Sequence, residues 1–119
     1  MGRAVTIASH DGPVVCENCA LADSPITRMR GLLGRKTLEP SHGLLIRPAP
    51  AVHTWFMRFA IDAVFLDGDF NVLSVRPGLR PWRMAGHGGA RAVLELAAGE
   101  AARRGLRPGD RLEVSFGSV

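Results

Sequence analysis

Lysine is almost missing from this 119-residue chain: Lys36 stands alone against fourteen arginines. Apolar runs stay far short of the ~20 residues that a membrane-crossing helix requires, which excludes a transmembrane helix. The first ten residues hold only the short apolar stretch Ala4-Val5-Thr6-Ile7-Ala8, and no small-residue cleavage site follows. A secretory signal is therefore not read, and a cytoplasmic location is expected. Met1-Gly2 with Thr6 meets the letter of a myristoylation pattern, but an N-terminal strand explains the same residues. Internal repeats, low-complexity tracts and linkers are also lacking, so residues 1–119 read as one domain. No serine sits in a GxSxG elbow, and there is no phosphate loop, HExxH pair or paired-carboxylate arrangement. The familiar hydrolase and nucleotide-binding chemistries are thus disfavoured.

What the chain does have is 46% hydrophobic residues, enough for a core, and a formal net charge of +4. An excess of arginine suits an anionic partner, but nucleic-acid binding needs the charge gathered on one surface. Here arginines fall in every segment with acidic residues among them, so nucleic acid is disfavoured as a partner. Proline and glycine together supply 22 residues, 8 and 14 respectively, spaced as in many short strands joined by turns. Val5 and Ile7 belong to a first strand, and residues 14–22 to a second beyond the Asp11-Gly12-Pro13 turn. Further strands are expected at 43–47, 51–58, 62–66, 70–75, 92–96 and 111–116, with Asp67-Gly68-Asp69 as a hairpin turn. Ser24-Pro25 is a helix start with Gly34 as its stop, and a second short helix spans 100–104. The expected fold is mainly β, a small barrel or sandwich of about seven or eight short strands with two short helices.

Cys16 and Cys19 have the spacing of half a zinc site or of a redox pair. In an extended strand, residues three apart point to opposite faces. No second CxxC occurs, and the histidines at 10, 42, 53 and 87 are isolated, so plain thiols are expected and no metal. Between His53 and Asp62, alternation would place His53, Trp55, Met57, Phe59 and Ile61 on one face, as core with His53 at its rim. Thr54, Phe56, Arg58 and Asp62 would take the other. Arg58 and Asp62 can pair only if the chain bends near Phe59-Ala60. Arg30 flanks the apolar stripe of the first helix, and Glu95 interrupts the apolar strand Val93-Leu94-Glu95-Leu96. Buried charges need partners, so Glu95 is expected to meet Arg30 or Arg58. The 76–89 segment reads as a long loop carrying Arg80, Trp82, Arg83 and His87, and loops of that length are often functional.

Arg30-Gly-Leu-Leu-Gly-Arg35, Gly43-Leu-Leu-Ile46 and Met57-Arg-Phe-Ala-Ile-Asp-Ala-Val-Phe-Leu-Asp67 follow in an order that resembles the domain of unknown function 192 family. Ala92-Val-Leu-Glu-Leu96, Gly99 and Gly105-Leu-Arg-Pro-Gly-Asp110 complete it, so the resemblance covers roughly residues 25–116. Ala60 stands where relatives often carry proline. The resemblance implies a small, mostly β domain of bacteria and archaea with no established activity, and it supplies no catalytic residues. Some relatives are exported or membrane-anchored; this chain, lacking a signal, is expected to be a cytoplasmic one. The leading functional expectation is a module that binds a small molecule or peptide through His53, Arg58, Asp62, Trp82, His87 and Glu95, without a cofactor. An enzyme using the same cleft, with His53 or His87 as proton carrier, is the alternative. A purely structural or protein-interaction domain, with Arg30, Arg58 and Glu95 as internal ion pairs, is a third.

Overall fold

A computed structural model describes residues 4–10, 12–22, 37–55 and 57–116. Nine strands occur among them: β1 (Ala4–Ser9), β2 (Val14–Ala22), β3 (His42–Ile46), β4 (Ala51–His53), β5 (Ile61–Leu66), β6 (Val72–Leu79), β7 (Met84–Gly86), β8 (Ala92–Ala97) and β9 (Leu112–Phe116). One helix among them, α1 (Glu100–Arg103), is a single turn. The helix expected over 24–34, and Arg30 with it, lies outside the described residues, as do Asp11 and Phe56.

Seven strands form one sheet in the order β6-β5-β8-β3-β2-β1-β9. All its pairings are antiparallel except β2 with β3, the two strands joined by the long 23–41 connection. A parallel neighbour requires such a crossover, because a tight turn returns the chain antiparallel. The sheet curls until its two edges approach. Asn71 bridges Arg111, and the Val72 amide donates to the Asp110 carbonyl at 2.7 Å. The result is a half-barrel. Its interior is filled by Val5, Ile7, Leu21, Leu45, Val64, Leu94, Leu96 and Leu112, with Ala101 and Leu106 entering from α1 and the turn after it.

The outer face of β5, β8 and β3 carries a second apolar cluster that includes Leu44, Ile46, Ile61, Ala63, Phe65 and Val93. A two-stranded ribbon, β4 with β7, covers this face through Val52 and Ala85. Strands β3, β5 and β8 are thus apolar on both faces, which explains their near-continuous hydrophobic runs. The mainly β class holds. The 76–89 segment is no long loop, however, because it contains the second half of β6 and all of β7. The strand expected over 51–58 stops at His53, and the chain then turns and bends at Arg58 and Phe59.

Candidate functional site

The early end of β4 inverts the burial expected around His53. Thr54 is the fully buried residue, while His53 and Trp55 face out and Met57 returns to the interior. The cause is Thr54 itself. Its Oγ1 donates to the Arg80 carbonyl at 2.6 Å and accepts from the Arg83 amide at 2.9 Å. Its backbone carbonyl accepts from the Trp82 amide at 3.0 Å and its own amide donates to the Arg83 carbonyl at 2.8 Å. A β-branched hydroxyl residue thereby stitches the 80–83 turn to the end of β4.

On the ribbon's outer face His53 lies opposite Met84, and Val52 opposite Ala85 points inward. Trp55 and Trp82, two residues beyond His53 and two before Met84, extend the outward row. His53 and Trp55 stack with ring centroids 4.9 Å apart. Trp55, Trp82 and Met84 are 43%, 57% and 62% exposed, and they are three of the four large hydrophobic side chains most exposed among the described residues. Trp82 holds a positive φ of 66°, a costly conformation for a bulky residue. Around this row Arg58, Arg80 and Arg83 are exposed. The aromatic row was legible only as separate residues, since β7 sits in what read as loop.

The other expected site residues do not join it. His87 is exposed past the end of β7, with its Nδ1 2.7 Å from the Gly88 carbonyl. Asp62 points into the half-barrel. One of its oxygens accepts from the Gly78 amide at 2.9 Å, and the other from the amides of Gly99 and Ala101 at 3.0 and 2.9 Å. It fastens β6 and the start of α1 to β5, and Arg58 takes no part. Glu95 is on the opposite face of the sheet, between Leu44 and Ala63 on the neighbouring strands and beneath the ribbon. It is 2% exposed, and its Oε1 has no hydrogen-bond partner among the described residues. Burial pushes its carboxyl up to about 8. The expected Arg58–Glu95 pair is therefore corrected: Arg58 sits at an exposed bend because β4 ends five residues before it. Arg30, the other expected partner of Glu95, lies outside the described residues.

The cysteines also depart from simple alternation. Ile7 faces Cys16 while Val5 faces Cys19, so three steps of β2 match two of β1, a bulge. Glu17 and Asn18 are both exposed and the two thiols both turn inward, buried and free. Their S–H groups reach the Ser41 and Ala20 carbonyls at 3.8 and 3.7 Å, and the proximity of the two thiols lowers Cys16 and raises Cys19, with burial raising Cys19 further. Two adjacent polar residues inside an apolar strand were the readable signal of that bulge. Among the described residues no group of three or more histidine, cysteine or acidic side chains is placed to hold a metal ion.

Known proteins share this arrangement. A solved structure of a proposed transcription regulator from Sinorhizobium meliloti 1021 superposes with a TM-score of 0.82 at 26% identity, over 96% of this chain and 94% of that one. A protein of unknown function from Novosphingobium aromaticivorans DSM 12444 gives 0.79 at 26% identity, over 92% and 83%. The UPF0127 protein PH1112 of Pyrococcus horikoshii is 37% identical over 70 residues, 54% of this chain. The match spans 57% of that relative's length. The DUF192 family model, described as uncharacterized ACR, COG1430, matches residues 6–114 and so takes in β1 and β2 as well as the motifs from Gly43 onward. With nearly its whole length inside that match, the chain belongs to the DUF192 family.

Proposed function

We propose that the protein is a peptide-binding module whose recognition face is the outer side of the β4–β7 ribbon. The observation that carries this reading is the exposed row Trp82, Met84, His53 and Trp55. Soluble domains seldom leave large apolar side chains clustered on one surface unless something covers them. Met84 opens β7 and Trp82 stands two residues before it on the turn, so the two side chains flank a short edge that an extended peptide could follow. Arg58, Arg80 and Arg83 at the margin favour an acidic peptide. Thr54 supports the reading because it fixes the turn before binding, which limits the ordering cost. Glu95, beneath the ribbon, is not part of the recognition face. A role on nucleic acid, suggested by the description of the Sinorhizobium relative, is the competing outcome.

Fluorescence anisotropy of a labelled nonapeptide alternating glutamate and leucine tests the reading. Saturable binding is expected, weakened at least about tenfold by the double substitution Trp82→Ala, Met84→Ala. Both side chains are exposed, so the melting temperature should stay put. No saturable change would overturn the proposal. So would equal binding of a lysine–leucine peptide, or preference for an oligothymidine.

A further inference from the structure

At the end of the half-barrel where the β5–β6 turn meets β9, two open depressions of about 290 and 310 Å³ adjoin. They share Arg47 and Phe70 as a common wall. Arg91 lines the first and Arg111 the second. We infer that this groove binds a small phosphate-bearing molecule, held by the guanidinium groups of Arg47, Arg91 and Arg111.

The placement follows from the topology. Arg47 leaves β3, Arg91 enters β8, the antiparallel neighbour of β3, and Arg111 enters β9. The bridge between Asn71 and Arg111 brings β9 against the turn that carries Phe70. Three arginines distant in sequence thus reach one groove, though in the sequence they look like scattered surface charges. Arg47 stacks on the Phe70 ring, its guanidinium carbon 5.6 Å from the ring centre, which holds that cation in place. Phe70 is held at a positive φ of 63°, and its carbonyl accepts from the Leu112 amide at 2.9 Å.

Hydrogen-bond accounting favours an anion. None of the three guanidinium groups makes a hydrogen bond or ion pair among the described residues. Of the three carboxylates on the walls, Asp67 is committed to the amides of Asp69 and Asn71 and to the Asn71 side chain, at 2.9, 2.9 and 3.0 Å. Glu113 is held by His10 at 2.7 Å. Asp69 alone is uncommitted. The three carboxylates offset the three guanidinium charges, and Asp67 lies in the field of Arg111. The guanidinium N–H groups are nonetheless open donors, while Asp67 and Glu113 already accept elsewhere, so an added acceptor has donors waiting for it. A tetrahedral phosphate offers several acceptor oxygens to planar guanidinium forks, which a single carboxylate does not. The Phe70 wall suits an apolar group attached to the phosphate. No residue of the ribbon's outer row lines this groove, so the inference stands or falls independently of the peptide reading.

Titration with phenyl phosphate, followed by backbone amide shifts, tests it. Saturable shifts are expected at Phe70, Arg91, Arg111 and Leu112, weakened at least about tenfold in the double variant Arg91→Gln, Arg111→Gln. Both residues are exposed, and an unchanged melting temperature would confirm that the variant folds. Benzoate should bind at least about tenfold more weakly than phenyl phosphate, and phenol should not compete. Absence of saturation by about 20 mM, equal binding of phenol, or an unaffected double variant would each overturn the assignment. Vesicles containing phosphatidic acid separate the sources of phosphate: binding to them but not to phenyl phosphate would also overturn a small-molecule site.

Discussion

Glu95 shows how much burial can cost one carboxyl group. Its neighbours across the sheet are Leu44 and Ala63, it is 2% exposed, and its Oε1 has no hydrogen-bond partner among the described residues. Burial therefore raises its carboxyl from the ordinary 4.5 to about 8. Between those two values the folded protein holds a proton that the unfolded chain has already released. Stability is then full below about pH 4.5, falls as the pH rises, and levels off above about 8. The whole fall is on the order of 5 kcal/mol, a large part of the margin of a small domain. Urea midpoints measured across this range should drop for the native protein and stay level for Glu95→Gln. A slope that persists in the variant would assign the titration to another group. Asp62 makes the contrast on the other face of the same sheet. It is as deeply buried, yet its two oxygens accept from three backbone amides, so its polar atoms are satisfied.

At the scale of elements, the bulge in β2 and the single turn α1 depend on one arginine. Arg104, 11% exposed at its side chain, donates to the Val14 carbonyl at 2.8 Å and to Glu17 at 3.0 Å. It also reaches Glu100 at 3.3 Å and the Pro40 carbonyl at 3.3 Å. Arg103, one residue earlier, pairs with Glu100 alone among the described residues and stays in solvent. Arg104→Ala should therefore destabilise the protein by about 1–3 kcal/mol, since it strips partners from several elements at once. Arg103→Ala should leave the denaturation midpoint unmoved, and equal losses for the two would refute the distinction. Sequence pattern located β2, β5, β8 and β9 well, because their apolar runs are bounded by glycine and proline turns. It did not separate Arg104 from its neighbour, since helical spacing says nothing about what lies across a tertiary gap. The cysteines escaped the alternation rule because one inserted residue reverses the parity of everything beyond it. A bend near Phe59-Ala60 was read only as the condition for an Arg58–Asp62 pair. The chain bends at Arg58 and Phe59, with alanine rather than proline at position 60, and Asp62 turns to backbone amides instead.

The whole molecule is two layers of unequal strength. The half-barrel has strands of five to nine residues and an interior core, whereas the ribbon has two strands of three residues each. A two-stranded ribbon is marginal by itself and persists only by packing and by specific ties. Eight of the nine strands were legible in the sequence, but β7 was not, and none could be assigned to a layer. Both β4 and β7 are too short for periodicity to register, and β7 lacks any β-branched residue. The layering predicts two opening free energies within one fold, the lower belonging to the ribbon. Thr54 is the tie that decides how low, because its hydroxyl closes the 80–83 turn against β4. Thr54→Val keeps the shape and removes the hydroxyl, leaving the Arg83 amide and the Arg80 carbonyl without that partner, at a cost of about 1–2 kcal/mol. Amide exchange at Thr54, Trp82 and Ala85 should accelerate about tenfold, while Val64 and Leu94 in the half-barrel keep their protection. If all five amides accelerate together, the ribbon and the half-barrel open as one unit. A recognition face mounted on the ribbon would then share the stability of the core instead of adjusting apart from it.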